Sequence, residues 1–301
     1  MSGIPATLLP IFVLIGVGWL ARRWRFPGEA FWPALDRLVY FGLFPVLMVR
    51  TFATADLAGL EVAAMAGAVW LALAAMVLGL VVARPFLSLP GPTFASLLQT
   101  AVRFNAYTGL AVSQAAYGNA GLALFSLTIA LVTPLANVIS VTGFLRGAEH
   151  RDGRHPRLWL ELARNPLILS IGLGLLLNVC GLGLPWPVKS LFDLLAPATL
   201  PLALLSAGAG LELAAARAAG WAVIAAVGLR LVGMPLLVLA AAWCFDLDGP
   251  ARQILLLYAC LPTSPAGYTL ARQLGGDAPA MAGMIALSTL AAIATMPLWL
   301  G

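Results

Sequence analysis

Long apolar stretches alternate with short polar or Pro/Gly-rich breaks along the whole chain. The apolar runs fall at about 5–21, 33–52, 60–83, 92–117, 120–145, 164–181, 187–211, 218–244, 251–272 and 279–300. Their lengths lie near the roughly 20 residues that a helix needs to cross the hydrocarbon of a bilayer. A lone strand cannot satisfy its backbone in lipid, and the runs exceed the roughly 9–11 residues of a barrel strand. The pattern therefore predicts an all-α integral membrane protein with ten transmembrane helices.

Composition agrees with that reading. Of 301 residues, 61% are hydrophobic and 10% charged, with a mean hydropathy of +0.97. Soluble domains carry about 25% charged residues, so the solvent of this chain is the lipid bilayer. Ten crossings leave no length for a separate soluble domain. The net charge of +5 sits in short loops beside apolar runs, where it orients helices rather than binding nucleic acid. Cys180, Cys244 and Cys260 follow no CxxC spacing, which argues against a disulfide framework or a zinc site. His150 and His155 belong to a polar linker at 146–163 and read as solvated rather than metal-ligating. No metal or cofactor is expected, and a coupling ion, H+ or Na+, is left open. The first seven residues lack the basic start of a signal peptide, and Arg22, Arg23 and Arg25 follow the first apolar run; that run is taken as a retained span.

Lys and Arg are distributed unevenly between the loops. Odd-numbered loops hold eleven of them, and even-numbered loops hold Arg50, Lys189 and Arg252. The excess of positive charge marks the cytoplasmic side. This places the linker at 146–163 in the cytoplasm and both termini on the non-cytoplasmic side of the inner (plasma) membrane.

The chain also repeats itself. Pro10, Gly16 and Gly18 recur 156 positions later as Pro166, Gly172 and Gly174, and Pro45 recurs as Pro201. Pro27 and Pro185, and Gly118-Asn119-Ala120 and Gly276-Asp277-Ala278, are related by 158. The expected division is a first five-helix repeat at 1–145, the linker at 146–163, and a second five-helix repeat at 164–301. An odd number of spans inserts the second copy upside down, giving two inverted repeats of the kind found in many secondary transporters.

In such carriers the site lies where corresponding helices of the two halves are broken near the bilayer midplane. The fourth and ninth runs hold the best-matched interruptions, Arg103-Phe104-Asn105-Ala106-Tyr107-Thr108-Gly109 and Leu261-Pro262-Thr263-Ser264-Pro265-Ala266-Gly267-Tyr268. The 158 offset sets Asn105 against Thr263 and Gly109 against Gly267. Gly109, Pro262 and Pro265 are the candidate helix breakers, since proline removes a donor and frees carbonyls that lipid cannot satisfy. Arg103 supplies an intramembrane positive charge, which costs roughly 2.5–3.5 kcal/mol to insert and so signals a role. Asn105 offers donors and an acceptor. Tyr107, Thr263, Ser264, Tyr268 and Asn137 complete the candidate substrate-binding set. Arg230 is a further intramembrane charge that the sequence leaves unoriented. Small-residue clusters such as Ser206-Ala207-Gly208-Ala209-Gly210 read as helix-packing surfaces.

The chain resembles the auxin efflux carrier family, whose bacterial members include malonate and other dicarboxylate permeases. The resemblance extends over essentially the whole length. It rests on Gly16-Val17-Gly18 before Arg22-Arg23, Tyr40 to Pro45, Arg103-Phe104-Asn105 with Gly109 and Tyr117-Gly118, Asn165-Pro166, Leu200-Pro201-Leu202-Ala203-Leu204-Leu205 leading to Gly208-Ala209-Gly210-Leu211, and Leu261-Pro262. It implies crossover helices 4 and 9, a scaffold and a transport domain, often a homodimer, and an organic-anion site lined by Asn105 and the Pro262 region. The family usually has Gly-x-Pro in the fourth span; here Gly109-Leu110 is followed by Ala111.

These readings converge on a secondary transporter that moves a small organic anion, a carboxylate such as a malonate- or auxin-like one, by alternating access. A sodium-coupled symporter of the bile-acid type is the nearest alternative. A membrane receptor or an intramembrane enzyme is the rival from another class. An enzyme needs a positioned acid, base or nucleophile, and no span holds a histidine or an acidic pair.

Overall fold

The computed structural model describes residues 4–55, 61–147, 166–217 and 220–301. Every regular element among them is helical. In chain order these are α1 (Ile4–Arg23), α2 (Phe31–Leu38), α3 (Phe44–Ala53), α4 (Val62–Leu87), α5 (Gly91–Val102), α6 (Ala106–Gly147), α7 (Pro166–Val179), α8 (Val188–Ala209), α9 (Leu213–Arg217), α10 (Trp221–Gly228), α11 (Met234–Cys244), α12 (Gly249–Cys260), α13 (Ala266–Leu274) and α14 (Ala278–Leu300). The linker expected at 146–163 lies outside the described residues except for its first two positions.

Among the described residues, seven helical segments are long and apolar enough to cross a membrane. One of them, Gly91–Phe144, covers 54 residues and is interrupted twice, by the non-helical Arg103–Asn105 and by a kink at Gly118 with φ 64° and ψ −153°. Pro166–Val179 is apolar but shorter, and α12 and α13 are two short helices with a gap between them. The outward residues are apolar: Leu78, Val82, Trp243 and Leu298 are all exposed. Such a surface is stable only against hydrocarbon.

The chain divides into two compact units. The first comprises Met1–Leu60, Leu110–Ala130 and Pro156–Gly210, and small residues set its packing. A side chain on Gly18 would overlap the carbonyl group of Leu205, and one on Gly208 would overlap that of Ile15, so α1 and α8 run in backbone contact. α3 and α7 meet in the same way, a Cβ on Gly174 falling 3.0 Å from the Val49 carbonyl oxygen and 2.8 Å from the Phe52 Cβ. Without a hydrophobic force between helices in lipid, such close approach is what dispersion and weak hydrogen bonds can use. Gly174 lies 156 positions after Gly18, and Leu205 lies 156 after Val49, so one contact occurs twice at the period found in the sequence. Polar ties close the unit. Arg22 Nη1 donates to the Ala209 carbonyl at 2.9 Å, Asn178 Nδ2 donates to the carbonyls of Phe52 and Ala55, and Arg50 pairs with Asp193 at 2.6 Å.

The second unit comprises Glu61–Gly109, Leu131–His155 and Leu211–Gly301. Its interior centres on Leu97, Tyr258, Met281 and Met284, all buried. Both units hold one π-helical turn, at Val39–Leu43 and Leu229–Gly233, each followed two residues later by a proline, Pro45 and Pro235. A proline ring clashes with the carbonyl four residues back. Widening the preceding turn relieves that clash without ending the helix.

Candidate functional site

Two helices of the second unit are interrupted, and the interruptions meet. α5 ends at Val102, and the chain runs extended through Arg103 (φ −87°, ψ 150°) before α6 starts at Ala106. α12 ends at Cys260, Leu261 is also extended (φ −68°, ψ 148°), and α13 starts at Ala266. The Asn105 amide donates to the Pro262 carbonyl at 2.8 Å, so the two broken backbones satisfy part of each other's hydrogen bonding. The Phe104 and Tyr258 rings stack edge to face at 4.9 Å beside this bond.

The first interruption needs no proline of its own. Asn105 is the N-cap of α6: its Oδ1 accepts from the amides of Tyr107 at 3.1 Å and Thr108 at 3.2 Å, the usual use of asparagine at this position. With that acceptor occupied, the Nδ2 group is the part of Asn105 left to reach a solute. Gly109 is not the breaker expected from the sequence. Its amide donates to the Asn105 carbonyl at 3.1 Å in regular helical register, four residues after the break, because the cap starts a new helix there. Pro262 lies inside the second interruption and Pro265 immediately precedes α13. No side chain caps α13; the amides of Gly267 and Tyr268 turn back to the carbonyls of Ser264 at 3.0 Å and Pro265 at 3.2 Å, so what this helix start offers an anion is its positive dipole end.

Other expected residues divide into those at the break and those beside it. Arg103 is half-buried, and its Nη2 donates to Asn137 Oδ1 at 2.5 Å; two candidates from separate runs thus form one pair. Thr263 is fully buried, and its amide donates to Ser288 Oγ at 3.3 Å. Ser264 and Tyr107 are half-buried. Tyr268 lies further along α13, where the Arg272 guanidinium sits 5.9 Å from its ring. Both face an open depression of about 310 Å³, together with Thr269 and Gln273. All ten expected residues fall within the second unit.

Three polar residues missing from the expected set flank the breaks. The Gln99 amide, the Thr108 hydroxyl, and the hydroxyl of Tyr258 are buried with no hydrogen-bond partner among the described residues, and the Thr263 hydroxyl shares that condition. Gln99 is one turn before Arg103 and lies against Gly267, whose Cβ position is 3.2 Å from Nε2. A buried polar group left unpaired costs about 1–3 kcal/mol, so several around one break call for a functional account. A lone glutamine in an apolar run was the available sequence signal.

Arg230, an intramembrane charge that the sequence leaves unoriented, is placed by the structure beside the same breaks. It is fully buried in the π-helical turn. Its guanidinium donates to the carbonyls of Leu261 at 2.9 Å, Ala101 at 3.4 Å and Tyr258 at 2.5 Å. These carbonyls lie at or next to the C-terminal ends of α5 and α12, where the last four have no intrahelical donor.

Comparison with known proteins decides the family. The family described as membrane transport protein matches residues 4–300. The chain belongs to this family, that of the auxin efflux carriers. The family match and the apolar helices make it a multi-pass membrane protein of a membrane transport family. The "Uncharacterized transporter YfdV" of Escherichia coli (strain K12) is 26% identical over 201 residues, covering 64% of this chain and 63% of the relative. The protein of the same name in Shigella flexneri matches to the same extent. The chain thus spans less than two thirds of the length of these curated relatives. An "Uncharacterized transporter" of Methanothermobacter thermautotrophicus is 24% identical over 306 residues, covering 99% of this chain and 97% of the relative.

Proposed function

We propose that this transporter carries a small organic anion, a carboxylate, by alternating access, with the site at the meeting point of the two interrupted helices. The observation that carries the proposal is the paired interruption itself. Two backbones open at one place, joined from Asn105 to Pro262, while Gln99, Thr108 and Thr263 hold buried polar atoms without partners among the described residues. Non-helical backbone at membrane depth is tolerated where it lines a path for a solute. The uncapped start of α13 and the charge of Arg103 favour an anion over a cation. Asn105 Nδ2 and the Thr263 and Ser264 hydroxyls would orient it.

The wider architecture in this proposal is ten spans in two inverted repeats, with helices 4 and 9 as crossovers. The twofold recurrence of the glycine contact at 156 positions supports it. So does the distribution of the ten apolar runs: six match single crossing-length segments, two lie within the merged 54-residue one, and two match the short or divided helices. Because the candidate residues share one unit, that unit can carry the site from face to face with its internal geometry kept. The arginine bias between loops supports an inner-membrane orientation with both termini on the non-cytoplasmic side.

Uptake into proteoliposomes of a labelled panel of mono- and dicarboxylates, under imposed proton, sodium and voltage gradients, tests the proposal. At least one carboxylate should accumulate above protein-free vesicles, and Arg103→Ala should reduce that uptake strongly. The anion reading would be refuted if no carboxylate accumulated above protein-free vesicles under any of the gradients while neutral or cationic solutes run alongside did.

A further inference from the structure

We infer that Arg230 is a resident cation occupying the place where a coupling ion would otherwise bind, and that it makes this transporter independent of sodium and potassium. The inference rests on the interrupted helices forming the transport site, and it adds how the negative side of that site is neutralised.

Carriers with broken helices use the carbonyls of unwound backbone and of half-helix C-termini to coordinate Na+ or H+. Here those carbonyls exist and are occupied. Arg230 reaches Ala101 near the end of α5, Tyr258 near the end of α12, and Leu261 just past it. The ion pairs among the described residues are Arg22–Glu29, Arg50–Asp193, Lys189–Asp193 and Arg252–Asp248, and none of them involves Arg230. A fully buried guanidinium without an acidic partner needs another source of negative charge. Each helix C-terminus is equivalent to roughly −0.5 elementary charge, so two converging ends supply roughly the −1 that one guanidinium requires. The face of Tyr258, whose centroid is 5.1 Å from the guanidinium carbon, adds a cation–π contact.

An arginine differs from a bound metal ion in two respects that matter for transport. It stays protonated in proteins, and it is tethered to α10 and α11 through the π-helical turn. It can therefore neither dissociate on one side of the membrane nor respond to an ion gradient. The ends of α5 and α12 are closed permanently, and only the helix starts beyond the breaks remain for the solute.

The test uses the purified full chain and needs no substrate. Its melting temperature is measured in sodium, potassium and choline chloride at one ionic strength. The wild type should melt at the same temperature in all three, and stabilisation by sodium or potassium would overturn the inference. Arg230→Ala empties the carbonyl cage and should melt lower. Guanidinium or sodium at a hundred times its dissociation constant should then raise that melting temperature by about 5 °C, with no such rise in the wild type. A residue that merely supported the fold would leave no such cation response behind, so a variant blind to both ions would also overturn the inference. If the alanine variant does not fold, Arg230→Gln should acquire the sodium response and Arg230→Lys should not; equal behaviour of the two would count against the resident cation. Failure of every carboxylate to be transported would leave these melting results untouched. Sodium-driven carboxylate uptake would instead leave the anion site standing and remove the role given to Arg230.

Discussion

Asn105 performs two tasks with two halves of one amide, and substitutions can separate them. Its Oδ1 accepts from two amides of the first turn of α6, and the residue is 3% exposed. Replacing a capping asparagine with alanine costs about 1 kcal/mol, within a range of about 0.5–2. Here one of the two released amides, that of Thr108, is buried, and an unpaired buried group costs about 1–3 kcal/mol. Asn105→Ala should therefore destabilise by about 2 kcal/mol. At about 2–4 °C per kcal/mol for a large domain, the melting temperature should fall by about 4–8 °C.

Asn105→Asp should behave differently. The carboxylate keeps the capping acceptor and sits favourably at a helix start, so its melting temperature should match the wild type within about 2 °C. It removes the Nδ2 donor, however, and puts a negative charge where the anion is proposed to bind. Two like charges 4 Å apart at an effective dielectric of 20 repel by about 4 kcal/mol, so uptake of the best carboxylate should fall at least about tenfold. Thermal unfolding in detergent and initial uptake rates, measured on the same preparations, give both readouts. An alanine variant as stable as the wild type would remove the cap from the argument. An aspartate variant with undiminished uptake would remove Asn105 from the site.

Two further predictions follow from buried groups with and without partners. Thr263→Val replaces an unpartnered hydroxyl with a methyl group of similar size; relief of about 1–3 kcal/mol of desolvation should raise the melting temperature while uptake weakens, and a loss of both would mean that the hydroxyl has a structural partner. Gly18→Val and Gly174→Val should each destabilise by about 1–3 kcal/mol or more through overpacking, whereas Gly16→Val and Gly172→Val, with nothing within 4 Å of the added Cβ, should be close to neutral in the same thermal assay; equal effects at all four positions would contradict the close approach of α1 to α8 and of α3 to α7.

Much of the fold is legible in the sequence because lipid imposes one strong rule, that each span must satisfy its own backbone as a helix. The apolar runs and the spacing of Gly18 and Gly174 follow from that rule, since small residues are needed wherever helices touch. The place of the fourth-span break is less legible. A proline or glycine is the conspicuous mark of an interruption, and Gly109 carries it, yet the helix restarts at Asn105, which caps it. A cap is set by one hydrogen bond geometry and leaves only an ordinary asparagine in the sequence. Arg230 is harder still. Its partners are main-chain carbonyls contributed by two other helices, and a carbonyl has no signature in the residue that bears it. Gln99 was overlooked for a related reason, because its significance is that nothing answers its amide.

The two sides of the crossing are therefore treated unequally. Where α5 and α12 end, the exposed carbonyls are closed by a cation that belongs to the chain. Where α6 and α13 begin, one start is capped by Asn105 and the other has no side-chain cap. A site in which both helix ends were open would accept a cation on one side and an anion on the other, as ion-coupled carriers do. If Arg230 closes the carbonyl side as proposed, the polar groups left open at the break among the described residues are those of Gln99, Thr108 and Thr263, and the proposed selectivity for negative charge would need no acidic residue in the spans to titrate. The same fixed charge holds α5, α10 and α12 together whether or not a solute is present. Under that proposal the driving force for transport would come from the solute's own gradient, its own charge in the membrane potential, or a proton that travels with it.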